Sequence, residues 1–208
     1  MFQSSSQASQ DIFVHTFSPL QTFVEIGSNH PIITNNTYSL ESNYGWSGIM
    51  VEYDASFEPL YKELRSPKTT YYIGDAQTAP YRNMFVSKFT SKNIGYLQLD
   101  LDVNNRSTLN TLELLDRTCF DDYTFATVTF EHDIYTGDYF DTRAQSRAIF
   151  EKRGYIRMYS DVCVFFDGDW RQFEDWYVHP SLVDAGKIAI YKQPNNSEMH
   201  HTDMLFLL

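Results

Sequence analysis

The spacing of apolar and polar positions changes several times along the chain, and each change marks an element. Thr22-Phe23-Val24-Glu25-Ile26 is a β-branched and aromatic run closed by Gly27, which predicts a strand ending in a turn. Asn36 to Asn43 predicts a short helix, with Gly45 as a left-handed stop. Gly48 to Tyr53 is an apolar strand with an acid, Glu52, at its end. Phe57, Leu60, Tyr61 and Leu64 fall on one face of a helix from Ser56 to Arg65. A third strand is predicted over Thr69 to Ile73, closed by Gly74-Asp75, and a fourth over Ile94 to Leu101. Ser107 to Leu115 predicts a helix with Leu109, Leu112 and Leu115 inward. Phe125 to Phe130 predicts a fifth strand, followed by Glu131-His132-Asp133. Thr142-Arg143-Ala144-Gln145 fits a capping box that opens a helix running to Arg153 and stopping at Gly154. Two more strands are predicted, near Tyr155 to Phe166 and near Lys187 to Tyr191.

Strands separated by helices predict an α/β fold, a mostly parallel sheet covered on both faces. The 208 residues suit one domain, 1–208, with no internal repeat. Residues 1–10, rich in Ser and Gln, are expected to be loose, and 193–208 to form a C-terminal tail with an apolar end, Met204 to Leu208. Cys119 and Cys163 are the only cysteines, which excludes a disulfide framework and a four-thiolate zinc site. No apolar run approaches the ~18 residues of a membrane span, and the N-terminus has no signal-peptide pattern. A soluble, cytoplasmic protein without a membrane partner is expected. The net charge of −11 repels phosphate backbones on average, so nucleic acid is not the expected partner.

In parallel sheets ligands bind beyond the carboxyl ends of the strands, so those residues carry the chemistry. Acids stand there after five consecutive strands: Glu25, Glu52, Asp75, Asp100 with Asp102, and Glu131 with Asp133. Gly27 permits close backbone approach to a ligand. Glu52 can accept both hydroxyls of a ribose, as acids do at this place in nucleoside-binding sheets. A dinucleotide needs further glycines to cradle its pyrophosphate. Here Ser28-Asn29-His30-Pro31 follows Gly27, which points to S-adenosylmethionine, a nucleoside without a pyrophosphate. Asp75 suits the adenine amino group.

Phe23-Val24-Glu25-Ile26-Gly27-Ser28-Asn29-His30, with Asn35-Asn36-Thr37-Tyr38-Ser39-Leu40-Glu41 and Gly45-Trp46-Ser47-Gly48, resembles the first motif of the FkbM-type methyltransferases. Tyr96 to Asp102 and Thr129 to Asp133 resemble the fourth- and fifth-strand blocks, and Glu174 to Pro180 a C-terminal block found in some members, virus-encoded ones included. The likeness covers roughly residues 20 to 185. The sequence departs in having Glu25 where Asp is commoner and His30 where a second glycine is frequent. Val103 to Ser107 also stands where a Gly and an acid often follow.

The resemblance implies a Rossmann-like class I methyltransferase fold with a seven-stranded sheet. It implies methyl transfer from S-adenosylmethionine to an oxygen, usually on a sugar, in glycan modification. The implied cofactor set is Glu25, Gly27, Ser28, Asn29, Asn36, Thr37, Glu52, Tyr53, Asp75 and Asp100. The acceptor hydroxyl must lose a proton. His132, oriented by an acid, is one candidate base. A divalent cation (Mg, Mn or Ca) held by Asp102, Glu131 and Asp133 is the other means of activation. Otherwise Asp100 or Glu131 helps to hold the cofactor. Trp170, Trp176, Tyr177 and His179 lie among carboxylates, as suits a neutral carbohydrate acceptor, or they plug the sheet edge. A non-catalytic domain that pairs with a partner in a larger glycan-modifying assembly is the alternative, favoured by the missing acid after Asp102.

Overall fold

A computed structural model describes residues 3–101, 106–132, 134–194 and 199–203. The predicted strands form β1 (Thr22–Ile26), β2 (Ser47–Glu52), β3 (Thr70–Ile73), β4 (Asn93–Leu99), β5 (Thr124–Glu131) and β6 (Ile156–Phe166). To these are added β7 (Asp169–Val178) and the short β8 (Met199–His200). They make an eight-stranded sheet in the order β3-β2-β1-β4-β5-β7-β6-β8. The first five are parallel, and β7 is antiparallel to both β5 and β6. The order reverses at β1, whose Ile26 pairs with Val51 on one side and Leu99 on the other. The carboxyl ends of β1, β2 and β4 therefore meet at one crevice.

Helices cover both faces. On one, α4 (Tyr81–Lys88), α5 (Ser107–Thr118) and α6 (Phe140–Lys152) bury Phe85, Leu112 and Phe150 against Val24, Leu97 and Val128. On the other, α1 (Gln10–Phe17), α2 (Tyr38–Tyr44), α3 (Glu58–Leu64) and α7 (Ala185–Tyr191) bury Phe13, Leu40, Tyr61 and Ile188 against Phe23, Met50 and Trp176. Each fully buried aromatic removes roughly 150–250 Å² from water, so the abundant Phe and Tyr form much of both layers. Among the described residues no helix is long and apolar enough to cross a membrane.

Four expectations need correction. Residues near Lys187 to Tyr191 are helical, because Asp184 caps the helix by accepting from the Lys187 amide at 2.9 Å. The expected capping box is not made. The helix begins at Phe140, so Thr142 already lies in its first turn, and the Gln145 amide donates to Asp141 at 2.6 Å. The N-terminal segment is tied down: Asp11, fully buried, accepts from the Ser4 and Ser6 hydroxyls and the Ser5 amide at 2.6–2.8 Å. The sheet has one strand more than the seven expected, through the pairing of β8 with Val162 and Cys163.

Candidate functional site

Two adjoining cavities open at the crevice. One, about 420 Å³, is lined by Val51, Tyr53, Gly74, Asp75, Ala76 and Leu101 among others. The other, about 360 Å³, is lined by polar groups that include Gln7, Glu25, Asn36, Glu52 and Asp100. Tyr53 and Leu101 border both, so they form one cleft with an apolar end and a polar end. Its size lies in the range of small-molecule sites, roughly 300–1,000 Å³.

Glu52 stands between the two ends. One carboxylate oxygen accepts from the Asn29 amide at 2.7 Å and the other from the Asp54 amide at 2.8 Å. Each oxygen keeps a second lone pair for a ligand hydroxyl. Tyr53, the next residue, is 78% exposed and borders both ends. Asp75 is exposed at the apolar end and accepts from the Gln77 amide at 2.8 Å. Gly27 lines the polar end, and its bare backbone serves a further purpose. Its φ is +83°, and a Cβ there would sit 1.6 Å from the Asp100 carbonyl oxygen. The close approach is between β1 and β4, which brings Asp100 into the cleft.

The polar end is organised by a buried network. Glu25 accepts from the Asn36 amide at 3.1 Å, the Thr37 hydroxyl at 2.8 Å and the Asn35 side chain at 3.2 Å. Arg65 lies 3.9 Å from Glu25, binds Glu41 at 2.9 Å and donates to Thr37 at 2.8 Å. Burial pushes the Glu25 carboxyl up to about 7, against the lowering pull of Arg65 and these donors. Ser28 turns inward and donates to the Glu25 carbonyl at 3.0 Å. Asn36 lines the cleft, and its buried side-chain oxygen has no hydrogen-bond partner. Such an orphan acceptor calls for a donor from a ligand. An ammonium group beside it would meet Glu25 as well, so the residues present fit the amino-acid end of S-adenosylmethionine.

At the ends of β4 and β5, Asp100 is partly exposed to the cleft and shares a hydrogen bond with buried Glu131. Burial raises the Asp100 carboxyl, the bond with Glu131 opposes this, and nearby Glu52 adds to it. Glu174, opposite Glu131 in the ladder, is buried and accepts from the Trp176 indole at 2.6 Å. Its carboxyl is driven well above its ordinary range by burial. Asp102 and Asp133 lie outside the described residues.

His132 is not at the cleft. It is fully buried, with its amide bound to the Phe173 carbonyl and its Nε2 3.5 Å from Asp161 and 3.7 Å from Asp175. It cannot reach an acceptor hydroxyl from there. His132, Asp161 and Asp175 have the spacing of a metal site. Arg147 nevertheless binds Asp175 at 2.6 Å and Asp161 at 2.9 Å, and Arg143 binds Asp161 at 2.8 Å. Two guanidinium groups already neutralise those carboxylates, so the grouping does not fit a cation. Against the cost of burial, the bonds from Arg147, with the His132 ring nearby, hold the Asp175 carboxyl well below the usual carboxylate range.

The expected acceptor residues are dispersed. Trp176 and Tyr177 are consecutive in β7 and fully buried in opposite layers, so neither offers a face to a sugar. Trp170 is stacked on His200, with ring centres 4.1 Å apart and planes within 7°. His179 packs edge-on against Tyr155 and bonds Ser181. Asn36 was expected at the site, whereas Arg65 is a site feature that sequence reasoning missed. A lone arginine at a helix end carries no signal that it will fold back onto Glu25.

No protein-family model matches the chain, and no curated protein matches it. Solved structures do. A candidate rRNA methylase from Clostridium thermocellum superposes with a TM-score of 0.52 at 12% identity, over 86% of this chain and 97% of that one. A candidate O-methyltransferase from Klebsiella pneumoniae gives 0.53 at 13% identity, over 83% and 79%. A precorrin-6y C5,15-methyltransferase from Geobacter metallireducens gives 0.51 at 9%, over 82% and 85%. At these identities the likeness is one of architecture: the chain has the Rossmann-like class I methyltransferase fold.

Proposed function

We propose that the protein is an S-adenosylmethionine-dependent O-methyltransferase of the FkbM type, acting on a sugar hydroxyl in glycan modification. The observation that carries this reading is the cleft itself. It is apolar at one end, lined by Asn36 with its orphan oxygen at the other, and has Glu52 between them. Adenine would lie among Val51, Tyr53 and Leu101, near Asp75, and the ribose hydroxyls on Glu52. The ammonium would lie between Asn36 and Glu25.

When bound, S-adenosylmethionine supplies an electrophilic methyl group on a sulfonium. The residues of this chain must then align the acceptor and take its proton. Asp100 is the proposed base in place of His132, because it faces the cleft and its raised carboxyl is better matched to neutral pH than an ordinary aspartate. Glu52, Asn36 and Glu25 would hold the donor as it gives up its methyl to the acceptor oxygen and keeps the carbon–sulfur electron pair on sulfur. The hydroxyl proton passes to Asp100. A cation held by Asp102, Glu131 and Asp133 is the alternative means of activation. The net charge of −11 favours a neutral acceptor over RNA.

The burial of His132 favours a second reading, a non-catalytic domain that binds the nucleoside and a partner. Transfer of radiolabelled methyl over a panel of neutral glycosides, acidic glycosides, phenols and RNA tests the proposal. Labelling of a neutral glycoside supports it. Labelling of RNA or phenols alone refutes the acceptor class, and no labelling with intact donor binding supports the second reading.

A further inference from the structure

Glu131, the last residue of β5, pairs with Glu174 of β7. The five residues of β7 before it, Asp169 to Phe173, therefore run on past the carboxyl edge of the sheet, by roughly 17 Å at strand rise. They are paired with β6 through the turn Asp167-Gly168, so the β6–β7 hairpin overhangs the edge as an arm. Trp170 stacked on His200 braces that arm. Its tip and the loop after β5 enclose a second cavity, about 230 Å³, lined by Tyr135, Thr136, Phe166, Asp167 and Arg171. Phe166 is 58% exposed, and its ring centre lies 6.0 Å from that of Tyr135.

We infer that this hairpin cavity is an acceptor subsite for a neutral oligosaccharide, taking a ring further along the chain than the one that is methylated. The inference rests on the methyltransferase reading above. Exposed aromatic faces suit the apolar face of a sugar ring. Arg171 and Asp167 offer a donor and acceptors for its hydroxyls. Arg171 also lies 3.8 Å from Asp169, so one cation faces two carboxylates and an anionic ring meets no net attraction. Distance decides the length of the acceptor. Asp100 ends β4, and β5 and β7 stand between β4 and β6. At ~4.8 Å per strand the cavity spreads from about 5 to 14 Å along the edge from the cleft, and its hairpin residues stand roughly 10–17 Å beyond that edge. A single ring cannot fill both places; a chain of sugar rings can.

The test uses the full chain saturated with S-adenosylhomocysteine, fluorescently labelled, on an array of neutral and acidic oligosaccharides with RNA oligomers beside them. Binding to at least one neutral oligosaccharide is expected. Phe166→Ser and Tyr135→Ala should each weaken it about tenfold, the loss of one ring contact. Phe166 is exposed at a hairpin tip, so that variant should keep the parental Tm and S-adenosylhomocysteine affinity. Binding undiminished in both variants, binding of acidic glycans or RNA alone, or no glycan binding by a protein that does bind S-adenosylhomocysteine overturns the subsite. Failure to bind S-adenosylhomocysteine would instead remove the methyltransferase reading beneath it.

Discussion

Glu25→Gln should abolish a pH dependence of stability that the wild type shows. Burial pushes the Glu25 carboxyl, 1% exposed, up to about 7 from the 4.5 of a free glutamate. Its folded value is raised, so the folded state binds the proton more tightly. The associated stability is fully present below 4.5 and is lost as pH rises through 7. The whole effect is about 3.4 kcal/mol, at ~1.36 kcal/mol for each unit. Between pH 5.5 and 8.5, above the sequence pI of 4.8, about 2 kcal/mol of it should be expressed. The substituted glutamine keeps an acceptor for the Asn36 amide but cannot ionise. Its amide meets Thr37 and Asn35 differently from a carboxylate, which adds an offset independent of pH. The diagnostic quantity is therefore the slope. Urea unfolding of both proteins across this range should show the variant gaining about 2 kcal/mol relative to wild type as pH rises. A difference that stays constant would mean that Glu25 is ionised throughout, with Arg65 outweighing its burial.

Other outcomes follow from the same geometry. Arg147→Met leaves Asp175 buried without its guanidinium and should cost about 3–5 kcal/mol in denaturant unfolding; a loss under ~1 kcal/mol would show that Arg143 and His132 suffice. Gly27→Ala places a Cβ on the Asp100 carbonyl at positive φ and should yield insoluble protein or lose more than ~3 kcal/mol; a variant of wild-type Tm would contradict the close packing of β1 on β4. If Asp100 is the base, methyl transfer should persist in excess chelator, and Asp100→Asn should lose about 10²–10⁴-fold in rate with donor affinity little changed. Activity abolished by chelator and restored by magnesium or manganese would assign activation to a cation instead.

The parallel half of the sheet was legible because each strand is a β-branched or aromatic run with an acid at or beside its end, and that also revealed Glu52, Asp75 and Asp100. The antiparallel half was not. Asp167-Gly168 is a two-residue hairpin turn with both residues at positive φ, a strong local signal, but it lies among so many aromatics that the segment read as a binding surface. Once β7 is a central strand, Trp176 and Tyr177 must point into the two cores. His132 misled for a related reason. It follows β5, but the overhanging β7 covers it, and no spacing along the chain foretells that Asp161, Asp175 and Arg147 will surround it. Helices α1 and α4 were missed because each is only two turns long; α4 buries only Tyr81 and Phe85, and α1 buries polar Gln10 and Asp11 beside Phe13, Val14 and Phe17, which blurs its apolar face. In α7, Ile188 and Ile190 mimic strand alternation, and the Asp184 cap outweighs them.

The central claim, that the cleft holds the nucleoside of S-adenosylmethionine, is tested most directly by calorimetric titration of S-adenosylhomocysteine into wild type and Glu52→Ala. Binding at one site per chain is expected, weakened in the variant by about 2–4 kcal/mol through loss of two charge-assisted ribose bonds. Equal affinity for both proteins would place the ribose elsewhere, and tight binding of NAD with no response to S-adenosylhomocysteine would contradict the account.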